Sequence, residues 1–124
     1  DFLCILIMSL ICKRFQTDQD PYTAEALSEE HKIPIRLTKK ILYELQDLHM
    51  LSETPLEGDN ESVGYLPSVD INRMSVAMLL SRLDESGSEA FKIDRERYNA
   101  PWEALTKARE EYYENTGKIL LKDL

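Results

Sequence analysis

The chain opens DFLCILIMSLICKR, an apolar run over residues 2–12 closed by two cations. This run is eleven residues long, short of the roughly 17 to 25 that cross a bilayer as a helix. A secretory signal would carry cations ahead of its apolar stretch and a small-residue cleavage site behind it, and neither is present. Lys13 and Arg14 follow the run instead, where positive charge suits a helix C-terminus. A helix apolar on every side is buried on several. Residues 2–15 therefore read as a core helix. The lack of a methionine ahead of Asp1 reads as a fragment cut from a longer chain.

The remainder divides into short elements. TDQDP (17–21) is a polar turn, and Thr23 opens a capping pattern for a short helix over about 23–30. Lys32-Ile33-Pro34 is a tight connection, because the residue before proline resists helical backbone angles. A second helix is predicted over 35–48, with Leu37, Ile41, Leu45 and Leu48 as its buried stripe and Arg36, Lys39, Lys40 and Tyr43 on the other side. MLSETP and VGYLPSV flank a polar loop containing Gly58, Asp59 and Asn60, the pattern of a hairpin. Asp70 or Asn72 is placed to cap a helix carrying Met74, Val76, Met78, Leu79, Leu80 and Leu83, and ESGSE (85–89) is expected to break it. After the charged link FKIDRERYNAP, Pro101 lies near the start of a long helix. Trp102, Leu105, Ala108, Tyr112, Thr116 and Ile119 trace one stripe along that helix, and Gly117 is its expected stop.

Three helices followed at once by a two-stranded hairpin is the order of a winged helix-turn-helix. The fold class is mainly α, with a two-stranded wing and additional C-terminal helices, the last one long. At 124 residues the chain is expected to form one domain, with a core and following helix over 1–84 and a linker and long helix over 85–124. The formal charge of −8, from 23 acids against 15 bases, repels nucleic acid and anionic lipid on average, so contact with either needs a local basic patch.

Two resemblances follow. The phrases YTAEALSEEHKIPIRLTKKILYELQDLHMLSE, VGYLPSVDINRMSVAMLLSRLDESG and PWEALTKAREEYYENTGKILLKDL resemble the iron–sulfur and redox-sensing winged-helix repressors of bacteria. That likeness covers nearly the whole chain and implies a dimer formed through the long last helix. LICKRF, PYTAEALSEEHKIP and YLPSVDINRMSVAMLLSRLDESGSE are similar to the cytoplasmic C-terminal tail of the YihY/BrkB membrane proteins, which carry a ribonuclease BN-like label. This second likeness implies a cytoplasmic module tethered at the inner membrane through an N-terminal region that the sequence does not include.

The candidate sites separate on charge and chemistry. Arg36, Lys39, Lys40 and Tyr43 sit at the start of the helix that would enter a major groove. The alternative is a solvated face, with Lys40 and Glu44 in i,i+4 register. The hairpin tip carries Glu57, Asp59 and Glu61 and no cation, which weighs against DNA. The cluster-binding repressors hold their cluster with cysteines in the link after the fourth helix; here that link, ESGSEAFKIDRERYN, has no thiol, and such clusters require thiolates. Cys4 and Cys12 cannot pair with each other and read as small buried hydrophobes in a reducing compartment. His31 and His49 lack partners at metal spacing, and the acidic loop lacks the calcium ligand pattern. No catalytic constellation is present, so the nuclease label finds no support in the residues. Trp102, Leu105, Tyr112, Tyr113 and Ile119 read either as packing of the last helix or as a subunit interface, with the homodimer favoured.

The sequence thus predicts a non-catalytic interaction or regulatory module of a YihY/BrkB-like protein, dimeric or packed on the rest of a longer chain. It binds no cofactor, metal or small molecule. The alternative is a winged-helix transcription regulator reading DNA through Arg36, Lys39, Lys40 and Tyr43. A ribonuclease acting in tRNA processing follows from the family label alone.

Overall fold

The computed structural model describes residues 2–17, 19–56, 59–88 and 99–124. Its first helix, α1 (Phe2–Phe15), buries Cys4, Ile7, Met8, Ile11 and Cys12, the i, i+3, i+4, i+7 spacing of a single helical face. Leu3, Ile5, Leu6 and Leu10 lie half-buried against the same core, so the all-round apolarity is used on more than one side. Phe2 and Phe15 at its ends remain largely exposed. The one polar residue on the buried face, Ser9, donates its hydroxyl to the Leu6 carbonyl at 2.7 Å. Among the described residues, no helix is long and apolar enough to cross a membrane.

Helices α2 (Ala24–His31) and α3 (Ile35–Asp47) form the helix-turn-helix. The Thr23 side chain accepts from the Ala26 amide at 3.0 Å and caps α2, as its spacing predicts. The helix ends on Lys32 in the left-handed region, φ 54°, and the Ile33 amide reaches back to the Ser28 carbonyl at 3.1 Å. The end of α3 repeats this device. His49 takes φ 60°, and the Met50 amide donates to the Leu45 carbonyl at 2.9 Å, the Schellman pattern in which glycine is usual. His49→Gly is therefore expected to raise stability by about 1 kcal/mol. Urea denaturation checks this, and an unchanged or lower midpoint would contradict it.

The buried face of α3 is Thr38, Ile41, Leu42 and Leu45. Of the predicted stripe, Leu37 and Leu48 are only half-buried, while Thr38 and Leu42 take the deep positions. Thr38 tolerates this place because its hydroxyl donates to the Pro34 carbonyl at 3.1 Å.

Strands β1 (Leu51–Leu56) and β2 (Asp59–Pro67) form the antiparallel wing, with Leu51 opposite Pro67 and Pro55 opposite Val63. The register shifts between Pro55 and Leu56. Asp59 and Asn60, expected in the loop, belong to β2; Glu57, Gly58 and the side chains of residues 59–61 lie outside the described residues. Tyr65 donates its amide to the Tyr22 carbonyl at 2.9 Å, binding the wing to the segment ahead of α2. Gly64 makes this approach possible, since a Cβ there would lie 2.7 Å from the Pro21 Cβ.

The fourth helix, α4 (Val76–Ser88), is capped by Ser75, whose hydroxyl oxygen accepts from the Met78 amide at 3.1 Å. Asp70 and Asn72, the expected caps, are used upstream: the Asp70 carboxylate accepts from the Asn72 amide at 2.9 Å in a turn of its own. The helix runs to Ser88, so its end falls inside ESGSE (85–89), the stretch expected to break it. The charged link over 89–98 lies outside the described residues. The last helix, α5 (Asn99–Thr116), stops one residue before Gly117, as expected, and packs against α4. Beyond it the chain returns to the core. Val76 donates to the Ile119 carbonyl at 2.9 Å and Leu121 to the Met74 carbonyl at 3.0 Å, and a short 3-10 turn over Leu121–Asp123 packs on α1 with Leu121 fully buried.

Candidate nucleic-acid interface

Arg36, Lys39, Lys40 and Tyr43 are all exposed on α3. Their spacing of 3, 1 and 3 keeps them within one stripe of the helix, about 10 Å long at 1.5 Å per residue. The opposite side carries the buried Thr38, Ile41, Leu42 and Leu45, so core packing fixes which way the cations face. Lys39 approaches Glu25 of α2 at 3.8 Å, with both side chains more than half exposed; a pair of this kind contributes little and yields readily to a phosphate. Among the described residues, Arg36 and Lys40 form no ion pair. Tyr43 is 71% exposed, an aromatic surface and hydroxyl offered to solvent at mid-helix. Asp47 continues the stripe at its C-terminal end and is also exposed. The positive charge is thus confined to the first two turns, the part of a reading helix that reaches base edges.

The helix-turn-helix is held rigidly from both sides. Arg14 at the end of α1 donates through Nε to the Asp20 carbonyl at 2.7 Å, and its guanidinium stacks 4.4 Å from the centre of the Tyr22 ring. At the other end, Arg82 of α4 donates through Nη1 to the carbonyls of Leu48 and His49, at 3.1 and 3.2 Å. Sequence reasoning missed this residue. Its signal was an arginine in register with the buried Ser75 and Leu79 on an otherwise apolar stripe.

The residues considered for a subunit interface divide. Leu105, Tyr112 and Ile119 are 43%, 50% and 43% exposed. Tyr113 is half-buried and donates its hydroxyl to Asp84 of α4, an intramolecular use. That hydrogen bond first, and burial second, push the Tyr113 phenol up to about 12 from an ordinary value of 10.0. The proton is held more tightly in the folded chain, so this bond's contribution is complete below about pH 10 and is lost as pH rises through about 12. The Trp102 side chain lies outside the described residues.

Other chemistry is sparse. Cys4 and Cys12 are free and buried. Burial pushes Cys12 up to about 12 and also raises Cys4, which holds both thiols protonated and unreactive. The Cys12 thiol faces the Met74 sulfur at 3.5 Å. His31 lies 3.4 Å from the Tyr22 hydroxyl. Among the described residues, no group of three His, Cys, Asp or Glu side chains is placed to hold a metal.

No protein-family model and no curated protein matches the chain, so the likeness of its phrases to the YihY/BrkB family has no support from these comparisons. Solved structures do match. T. potens IscR superposes with a TM-score of 0.66 at 15% identity, covering 98% of this chain and 80% of that one. CymR, the global cysteine regulator of B. subtilis, gives 0.63 at 13%, covering 98% and 89%. Staphylococcus aureus CymR gives 0.59 at 13%, covering 96% and 88%. Among the described residues, five α-helices and a two-stranded antiparallel wing in this order give the chain the winged-helix fold that it shares with IscR and CymR.

Proposed function

We propose that this chain is the DNA-reading unit of a winged-helix transcriptional regulator, docking α3 in the major groove and pairing with a second copy through α5. The observation that carries this reading is the single exposed face formed by Arg36, Lys39, Lys40 and Tyr43 at the start of α3. The fold shared with IscR and with the cysteine regulator CymR supports it, and fold alone is a weak guide to function. Charge limits the interface. With a net charge of −8 and no lysine or arginine over residues 51–67, the favourable phosphate contacts come from α3 and not from the wing. Leu105 and Tyr112, exposed on α5, supply an apolar face for the second copy. The alternative, a non-catalytic cytoplasmic tail of a YihY/BrkB-like membrane protein, rests on its phrases alone, and no structural observation favours it.

Fluorescence anisotropy with a mixed-sequence DNA duplex across a salt series tests the reading. Each phosphate neutralised contributes about −0.9 to the slope of log affinity against log salt, so a dimer engaging three cations per protomer gives about −5. Undetectable binding at low salt, or a slope near zero, would contradict it.

A further inference from the structure

We infer that α4 is a lever that sets the position of the reading helix, pinned to the end of α3 by Arg82 and to α5 by Asp84. Its consequence for DNA rests on the reading above; the mechanical coupling does not. The first pin is compact. Arg82 Nη1 donates to the Leu48 and His49 carbonyls and lies 3.3 Å from the Met50 sulfur. These carbonyls stand where α3 has run out of intrahelical partners, at the negative end of its dipole. A half-buried, permanently charged guanidinium is suited to holding that end in place. The His49 carbonyl also accepts from the Ser68 hydroxyl at 2.5 Å, so the corner after α3 is gripped by α4 and by the end of the wing together.

The second pin is two residues further along. Asp84 accepts the hydroxyl of Tyr113. Two residues correspond to about 200° around a helix, so the pins project from nearly opposite sides of α4. The fulcrum is at the helix start, where residues 74–76 are bonded to residues 119–121 and Met74 and Leu79 are fully buried. Packed on α4 by the face that carries Tyr113, α5 keeps its outer residues Leu105 and Tyr112 exposed. A displacement of α5 therefore reaches α3 through α4, and occupation of the outer α5 face by a second copy biases the reading helix.

Amide hydrogen exchange on the full chain tests the lever without DNA. The reporters are the amides of Leu48, His49 and Met50, which close the end of α3. Arg82→Met is expected to accelerate their exchange about tenfold or more, as for loss of a charge-assisted hydrogen bond, with Arg82→Lys in between. Tyr113→Phe, which removes only the hydroxyl that Asp84 accepts, is expected to accelerate the same three amides about threefold, while the buried amides of α1 keep their rates. Wild-type rates at the α3 end in Tyr113→Phe would overturn the lever, as would a uniform acceleration through the chain. In the duplex assay, Tyr113→Phe is expected to weaken binding in the same order as it loosens the helix end. If the wild-type chain binds no duplex, the DNA reading fails, and the exchange rates still decide the lever.

Discussion

Replacing Arg36 and Lys40 together with alanine is expected to lower affinity for duplex DNA several thousandfold, to about 1/4,000, at about 0.1 M salt and to flatten the salt slope from about −5 to about −2. The size follows from counterion release: a dimer loses four cations, and at this salt each contributes nearly a factor of ten. Both side chains are exposed on α3, so stability should change by no more than about 0.5 kcal/mol. The two residues are also separable. If Arg36 makes a bidentate contact to guanine, Arg36→Ala relaxes sequence preference at one position, whereas Lys40→Ala weakens all sequences alike. Retained affinity in the double variant would show that the basic stripe is only a solvated face.

The second large effect concerns the fold. Leu121→Ala is expected to destabilise the chain by about 2–5 kcal/mol, a sizeable share of the roughly 5–15 kcal/mol that holds a domain of this kind together. Leu121 is fully buried although it sits in a turn of only three residues. Its position is set by its own amide bonding to the Met74 carbonyl and by contact of the turn with α1. The shortened side chain leaves a cavity between elements far apart in sequence, which neither can close alone. A shift in urea midpoint with unchanged slope is the expected signature. A loss below about 1 kcal/mol would mean that the terminal turn is not part of the core.

What the sequence disclosed, and what it hid, follows the range of the interactions. The order of three helices and a hairpin was legible because each element has its own period, cap or turn residues: Thr23 ahead of α2, Pro34 ahead of α3, Gly117 after α5. The exposed face of α3 was legible for the same reason, since an apolar stripe at helical spacing dictates where Arg36, Lys39, Lys40 and Tyr43 must point. The depth of Thr38 and Leu42 was not, because burial there depends on the position of α1, a property no local pattern carries. Long-range pairings left still weaker traces. Ser75 displaced Asp70 and Asn72 as the cap of α4 once Met74 and Val76 were bonded to the C-terminal segment. Arg82 reads as one more surface cation until the end of α3 is placed beside it. The total charge of −8 describes the chain as a whole and not the face of α3 on which Arg36, Lys39 and Lys40 gather, so the two have to be weighed separately.

The most direct test is selection of duplexes from a random-sequence pool by the full chain at low salt, with Arg36→Ala, Lys40→Ala as the paired control. A dimer of reading helices predicts recovery of an inverted repeat whose half-sites lie about one helical turn, or a multiple of it, apart, and loss of that sequence in the double variant. Recovery of no enriched sequence by the wild-type chain, or identical recovery by the variant, would contradict the claim that α3 reads DNA.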